Sequence, residues 1–557
     1  MHKHNRLFLL SLFFSVLLCL IIVRLFYIQI LAADTFFSNN YLHTVRITPD
    51  RGSIYDRNNE PLVINRTDYL AFASPKDIKD KDIYIKKIDS ILKIGEATLS
   101  SRIDMEKVWV PIQAGITEDK KRELASLNLR GIGFEKGQAR FYPESSLAAQ
   151  LLGFVGKDNE GDPTGYFGLE GYYSRDLSGL PGLFKSELDV IGKPIFVGVQ
   201  DMINGENGRD LKLNLDKVVQ RIAKSKLELG MGKYGAREGC IIIADPHTLE
   251  IIALTCLPDF DPDEYYKFSQ ENFTNPTISA LYEPGSIFKP LIMAAALNES
   301  VITPDEKFNE SGAVHEGGYT IKTWDDTYEG VITLTRALEK SSNVAMVHVG
   351  KKLGNEKLLT YLSKFGIGEN TNIDLQGEIS GFLKPKSQWY SIDYATATFG
   401  QGITITPIQM IRAFSALING GYIMEPHVVG EIDSKNGEKK HIAPKIVRRI
   451  FSEKTSFQIR SMLQKTVEHA EAKWDRPKGY AIGGKTGTAQ IPLAGHYDSS
   501  KTIASFIGFA PTDNPKFVAL VIYKEPKSSP WGSETAAPTF FEMVKELLVY
   551  YNIEPAN

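Results

Sequence analysis

Cysteine is nearly absent from this 557-residue chain, which has only Cys19, Cys240 and Cys256. Three cysteines cannot staple a chain of this length, so a disulfide framework is excluded. An excess of either charge is lacking as well. With 64 Lys and Arg against 67 Asp and Glu the net charge is -3, which leaves no basic footprint and no nucleic-acid partner. The ten histidines are scattered, without an H-E-x-x-H pair or a Cys-His cluster, so neither a metal nor a cofactor is expected. His315-Glu316 comes nearest and lacks the second histidine. No repeat or low-complexity tract interrupts the chain.

A long hydrophobic run is present. Leu7 to Val23 is apolar except for Ser11 and Ser15, and it continues past Arg24 as Leu25-Phe26-Tyr27-Ile28-Gln29-Ile30, enough for a bilayer-spanning helix. His2, Lys3, His4 and Arg6 precede it, which predicts a cytoplasmic N-terminus and an extracytoplasmic remainder. The competing reading is a cleaved signal peptide. The run exceeds the usual apolar length of roughly 7 to 15 residues, and Leu31-Ala32-Ala33 is a poor cleavage site, which favours an uncleaved anchor over residues 1–33. Arg24 can snorkel to the headgroups with Tyr27 at the interface, and Cys19 is a packing residue inside the run.

At about 150 residues per domain, the rest of the chain holds more than one core, and two large pieces are expected. Residues 34–232 mix alternating segments (Tyr41 to Ile47, Lys212 to Leu215) with helical stretches (Asp80 to Leu92, Lys217 to Leu229), and Gly230 to Gly235 reads as a linker. Residues 236–552 open with a hairpin, Cys240 to Ala244 and Glu250 to Thr255 around Asp245-Pro246-His247-Thr248-Leu249. They close with a strand, Phe517 to Tyr523, and a helix, Thr539 to Tyr551, whose stripe is Phe540, Met543, Val544, Leu547 and Leu548. Strands at both ends of a helix-rich middle predict an α+β fold. If the hairpin turn is centred on Thr248, Cys240 and Cys256 face one another with Cα atoms about 4.5 to 5.5 Å apart, within disulfide range. A slip of one residue separates them, and buried free cysteines are common, so both states stay open.

Three short strings carry the chemistry by their order: Ser286-Ile287-Phe288-Lys289, Ser341-Ser342-Asn343 and Lys485-Thr486-Gly487-Thr488. Singly they mean little, since Ser90-Ile91-Leu92-Lys93, Ser434-Lys435-Asn436 and Ser38-Asn39-Asn40 repeat the same spacings elsewhere. Pro284-Gly285 ends one segment, and Ser286 starts the apolar helical run to Leu297, with Pro290 in its first turn. Ser286 and Lys289 then share a helix face at an N-terminus rich in free N–H groups. A serine needs a base, and Lys289 serves only when neutral, which requires a drop of about 3 pK units from about 10.4. Burial and a second cation, Lys485, would supply it. Ser341 is placed to shuttle the proton, and the Asn343 amide to hold Lys289 or a substrate peptide group. Lys485 with the hydroxyls of Thr486 and Thr488 makes a carboxylate receptor, Gly487 lets a substrate backbone approach, and the N–H groups of Ser286 and Thr488 form an oxyanion hole. The plain alternatives are a solvated helix lysine, a helix cap and an edge strand with a protective lysine; all three would have to coincide.

These residues resemble the penicillin-recognising serine enzymes, specifically the class B penicillin-binding proteins of the division-type branch. The resemblance covers nearly the whole chain. Arg51-Gly52-Ser53-Ile54-Tyr55-Asp56-Arg57-Asn58 is similar to the family's opening motif after the anchor, and Arg140-Phe141-Tyr142-Pro143 and Gly168-Leu169-Glu170-Gly171 resemble its pedestal motifs. Tyr282-Glu283-Pro284-Gly285-Ser286 and Phe399-Gly400-Gln401-Gly402 with Thr406-Pro407 resemble transpeptidase-domain signatures. Asn59 stands where glycine is usual, and Tyr172-Tyr173 where an acidic residue is frequent. The resemblance implies a pedestal over 34–232, a transpeptidase domain over 236–552, and a peptidoglycan D,D-transpeptidase at the bacterial plasma membrane. Its substrates would be stem peptides, its inhibitors β-lactams, and its partners a membrane glycosyltransferase and other division or elongation proteins. The roles implied are Ser286 nucleophile, Lys289 base, Ser341 and Asn343 relay and binder, and Lys485, Thr486, Gly487 and Thr488 substrate contacts. A D,D-carboxypeptidase or β-lactam sensor is the alternative. A bifunctional synthase lacks support, because no acidic glycosyltransferase signature lies between Asp34 and Gly230. A β-lactamase lacks support too, because Glu378 is followed by Ile-Ser-Gly.

Overall fold

The computed structural model describes residues 2–31, 42–187, 200–470, 472–493 and 496–555. The end of the expected anchor, Tyr41 and the Ser38-Asn39-Asn40 string lie outside them. Residues 1–50 and 179–207 form one unit and the remainder another. The first unit contains the apolar helix His2–Phe26, continued as a π-turn over Tyr27–Leu31, with Asn5–Leu31 long and apolar enough to cross a membrane. It also contains a three-stranded antiparallel sheet with Gly182–Glu187 between Leu42–Ile47 and Gln200–Ile203.

The second unit is α+β and holds two large sheets. One is antiparallel, in the order Ile251–Leu257, Glu238–Ala244, Phe517–Lys524, His496–Ala510, Gly483–Leu493. Its two-residue period is written in the core. Ile241, Ile243, Ala519 and Val521 face the helices Lys217–Tyr234 and Ala536–Tyr550, while Ile242, Val518 and Leu520 face the helical layer that carries the site. Covering both faces is why these strands read as unbroken apolar runs.

Gly230 to Gly235 is no linker. The helix runs through Tyr234, and Gly235 closes it at φ 61°. Gly230 is there for contact, since a Cβ would collide with the Tyr523 hydroxyl, and Val219, Ala223 and Leu227 place this helix on the C-terminal sheet.

The hairpin forms with Cys240 opposite Cys256, and the two are bonded. A bridge across 16 residues contributes about 3 kcal/mol through the unfolded chain. The predicted register holds from Gly239 to Ile243 and shifts only at Ala244, beside the turn.

The other sheet is mixed. Ile54–Tyr55 lies between Pro61–Ala73 and Asp210–Leu213; the latter pairs with Val429–Asp433, which carries Lys439–His441. Pro61–Ala73 is also flanked by Val110–Ile116 and Ile132–Phe141. Asn59 takes φ 64° in the turn before it, a conformation that asparagine tolerates nearly as glycine does. The three pedestal strings converge on Glu170, which is fully buried. The Nε of Arg51 donates to its Oε2 at 2.8 Å and the Nε of Arg140 to its Oε1 at 2.7 Å, while Asn65 joins the two arginines. Burial alone would raise the Glu170 pKa, but the two guanidinium groups outweigh it and hold the carboxyl below its usual range. Tyr173 donates to buried Asp374 at 2.9 Å, and Asp374 also accepts the N–H groups of Val428 and Val429.

Two outcomes are expected. Glu170→Gln strands two buried cations, a loss of roughly 3 kcal/mol, so the thermal midpoint at pH 7 falls by several degrees. Because the folded pKa of Glu170 is depressed, that advantage is present above the usual carboxylate range and fades on acidification, and the two midpoints should converge in acid. Equal midpoints at pH 7 would contradict the cluster's role. Separately, alkylation and intact mass of the full chain in detergent should report one free thiol, Cys19, without reductant and three with it; three in both conditions would rule the bond out.

Candidate active site

The turn that carries Ser286 is held from behind by the Phe399 to Gly402 string. The N–H of Gly285 donates to the carbonyl of Gly400 at 3.0 Å, Tyr282 bridges to Ile405, and Glu283 accepts the N–H of Gly402. Gly285–Phe288 is a 3-10 turn that runs into the α-helix Lys289–Asn298. The sequence reading of a helix from Ser286 is corrected in this detail, and proline is the cause. An α-turn would require an N–H at Pro290 to reach the Ser286 carbonyl; lacking it, the carbonyl takes the N–H of Lys289 instead. Positions i and i+3 eclipse in such a turn, so Lys289 stacks below Ser286.

Lys289 is completely buried, and Ser286 is half-buried. The ammonium nitrogen of Lys289 donates to the carbonyl of Ser341 and to its hydroxyl at 3.1 Å. Desolvation first, and then the charge of Lys485, push its pKa well below the ordinary lysine value, against a smaller upward pull from Glu310. Lys485 is buried too, and burial lowers its pKa to about 7. Its Nζ donates to the carbonyl and hydroxyl of Thr486 at 3.1 and 3.3 Å.

In the second string the plain and the functional readings divide between neighbours. Ser342 caps the helix Asn343–Leu353 by accepting the N–H of Ala345 at 3.0 Å. Ser341, at φ 62°, turns its hydroxyl to Lys289, a backbone conformation that costs energy in a residue with a Cβ. The Asn343 amide does not reach Lys289 as one expectation had it; its Nδ2 donates to the Lys322 carbonyl at 3.0 Å, because the residue opens a helix beside that loop.

The third string lies on the edge strand Gly483–Leu493, against which the Ser286 turn packs. Gly487 is also held by packing. A Cβ there would collide with the Ser505 hydroxyl and stand 2.9 Å from Ile287 Cγ2 and 3.3 Å from the Pro284 carbonyl, so its lack of a side chain lets the Ser286 turn close against the strand. Ser286, Ser341, Asn343, Lys485, Thr486 and Thr488 line one cleft of about 700 Å³. Lys289 and Gly487 are not in its wall. The Thr488 hydroxyl accepts the N–H of Gly532 at 3.1 Å, which ties a following loop to the strand.

Sequence reasoning missed several residues of the cleft. Trp324 and Trp531 meet edge to face across it, ring centroids 5.4 Å apart. Trp474 fastens the Trp531 loop through the Ser533 carbonyl at 2.8 Å. Lys340, directly before Ser341, was detectable only by adjacency; nothing local marks the tryptophans. The decoys serve as helix end and turn: Ser90 bonds the Lys87 carbonyl in the last helical turn, and Lys435 pairs with Asp210.

Residues 239–545 match the family described as the penicillin binding protein transpeptidase domain. The chain belongs to the penicillin-binding protein transpeptidases. Residues 46–213 match the penicillin-binding protein dimerisation domain, so this penicillin-binding protein has the class B layout, and the family's substrate is peptidoglycan and its inhibitors β-lactams. It is similar to Stage V sporulation protein D of Bacillus subtilis, 34% identical over 98% of this chain and 85% of that one. It is also similar to a peptidoglycan D,D-transpeptidase FtsI homolog of Mesostigma viride, 29% identical over 96% and 94%. The crystal structure of a peptidoglycan synthetase from Bifidobacterium adolescentis superposes with a TM-score of 0.74 at 26% identity, over 93% of this chain and 98% of that one.

Gly487→Ala should displace the Ser286 turn. Misplacement by about 1 Å costs on the order of 100-fold in rate, so labelling by a fluorescent penicillin should slow by that order, with a stability loss of about 1 to 3 kcal/mol from overpacking. An unchanged labelling rate would show that the strand and turn separate without consequence.

Proposed function

We propose that this penicillin-binding protein is a serine-type peptidoglycan D,D-transpeptidase of the division branch. A single membrane span over Asn5–Leu31 would anchor it in the bacterial plasma membrane, with the basic start of the chain inside and the catalytic domain outside. The observation that carries the reading is a buried lysine, depressed in pKa and hydrogen-bonded to Ser341, one turn below a half-buried serine in a cleft.

In the proposed cycle neutral Lys289 takes the Ser286 proton, and the serine oxygen attacks the carbonyl between two terminal D-alanines of a stem peptide. The oxyanion is received by the N–H groups of Ser286 and Thr488. The proton passes through Ser341 to the leaving nitrogen, and D-alanine departs. A neighbouring stem's amine then attacks the acyl-serine, loses its proton to the same base, and releases the cross-linked peptide with Ser286 restored. Lys485, Thr486 and Thr488 would bind the carboxylate of the donor, or of penicillin, and Asn343 a donor peptide group. The dimerisation region and the anchor would engage a membrane glycosyltransferase that supplies the strands.

Full-length protein in detergent, given strands with pentapeptide stems, should yield cross-linked dimer in step with released D-alanine. D-alanine without dimer would favour the carboxypeptidase alternative. Ser286→Ala should abolish labelling by a fluorescent penicillin, while Ser90→Ala should not; intact labelling of the Ser286 variant would overturn the nucleophile assignment.

A further inference from the structure

Lys340, the residue just ahead of Ser341, sends its side chain into the protein. It is 1% exposed and reaches Glu310, 0% exposed, with Nζ 3.3 Å from Oε2. The Nζ also donates to the Thr327 carbonyl at 2.9 Å, and Oε2 of Glu310 accepts the N–H of Glu329 at 3.2 Å. Oε1 of Glu310 has no hydrogen-bond partner among the described residues. Glu310 ends the strand Lys307–Glu310, where it lies opposite Gly330 in the antiparallel pair with Gly330–Thr333. Its carboxylate lies within electrostatic reach of Lys289.

Buried ion pairs are poor stabilisers, since apolar residues of similar volume often do as well. A fold has little reason to bury one beside its catalytic base for stability alone. The position suggests another purpose. Lone and deprived of water, the Glu310 carboxylate would favour a protonated Lys289, which is useless as a base. With Lys340 upon it, the field of that carboxylate is partly offset. The same contact fixes the backbone from Lys340 to Ser342, where Ser341 sits at its positive φ.

We infer that the buried Glu310–Lys340 pair is a positioning element of the acylation site: Lys340 anchors the backbone that offers Ser341 to Lys289, and holds a cation against Glu310 so that the base never faces a lone carboxylate. The inference rests on Lys289 being the base. The charged groups that bear on Lys289 are Lys485 from the edge strand and Glu310 from the strand Lys307–Glu310. Lys340 itself is approached by Glu329, at 4.0 Å, which is held mainly by Arg336.

The test is the rate of acylation by a fluorescent penicillin against pH, on the full-length protein in detergent, with the thermal midpoint of each variant. Acylation rises with pH as Lys289 loses its proton. Lys340→Met should move that rise to higher pH, by about one unit, or about tenfold in rate at a fixed pH below it. Glu310→Gln, which leaves the cation alone, should move it to lower pH, and the double substitution should return it towards the wild-type position. A purely structural role would lower the rate equally at every pH and leave the rise where it is, and a rise that stays in place in both single variants overturns the inference. Should Lys340→Met fail to fold, the direction of the Glu310→Gln shift decides alone. Lys289→Arg separates the two levels: near-normal acylation by that variant sinks the lysine-base reading itself, whereas an inactive Lys289→Arg with unmoved rises in the others sinks only the role of the pair.

Discussion

Keeping one lysine out of water is the constraint around which this site is built. Holding Lys289 neutral near pH 7 means opposing its protonation by about 4 kcal/mol, and an exposed lysine cannot be treated that way. The helix that carries it is therefore buried from Lys289 to Leu297 with no polar face. Ile287, Phe288, Leu291, Ile292 and Met293, all at 1% exposure or less, contribute about 1.5 to 3 kcal/mol each, which comfortably exceeds that cost. A lysine buried in this way needs a large apolar layer around it before it needs any polar partner.

The second requirement is close approach of backbones. Two close approaches lie at the Ser286 turn and a third at the edge strand beside it, each at a glycine. A Cβ on Gly400 would collide with the Gly285 carbonyl, one on Gly487 with the side chains of Ser505 and Ile287, and one on Gly532 with the carbonyls of Gly487 and Ser505. The turn, the edge strand and the Trp531 loop are thereby set closely against one another. Residues outside the chemistry thus fix the distances on which the chemistry depends.

What was legible in the sequence, and what was not, follows from the range of each interaction. The hairpin around Asp245, its cysteine register and the stripe of the last helix are local patterns, and they appear as read. Gly230 misled because glycine serves flexibility, turns and tight packing alike, and here it packs under Tyr523 instead of loosening a linker. The three strings that meet in the cleft were visible because their order is specific. Glu310 was not, since it stands 30 residues from Lys340 in an unremarkable strand, and only the fold says that the two are partners.

The mixed sheet has a consequence for how the chain comes together. Asp210–Leu213 has Ile54–Tyr55 on one side and Val429–Asp433 on the other, with Asp210 opposite Asp433. The region that matches the dimerisation domain therefore borrows a strand made more than 200 residues later. At an elongation rate of roughly 5 to 20 residues per second, the ribosome needs some ten seconds or more to supply it. Until then the early strands keep an open edge, the kind of surface on which chains associate wrongly. Long-range pairing of this sort also slows folding. A truncation that spares every early residue but removes Val429–Asp433 would leave the early sheet with a permanently ragged border.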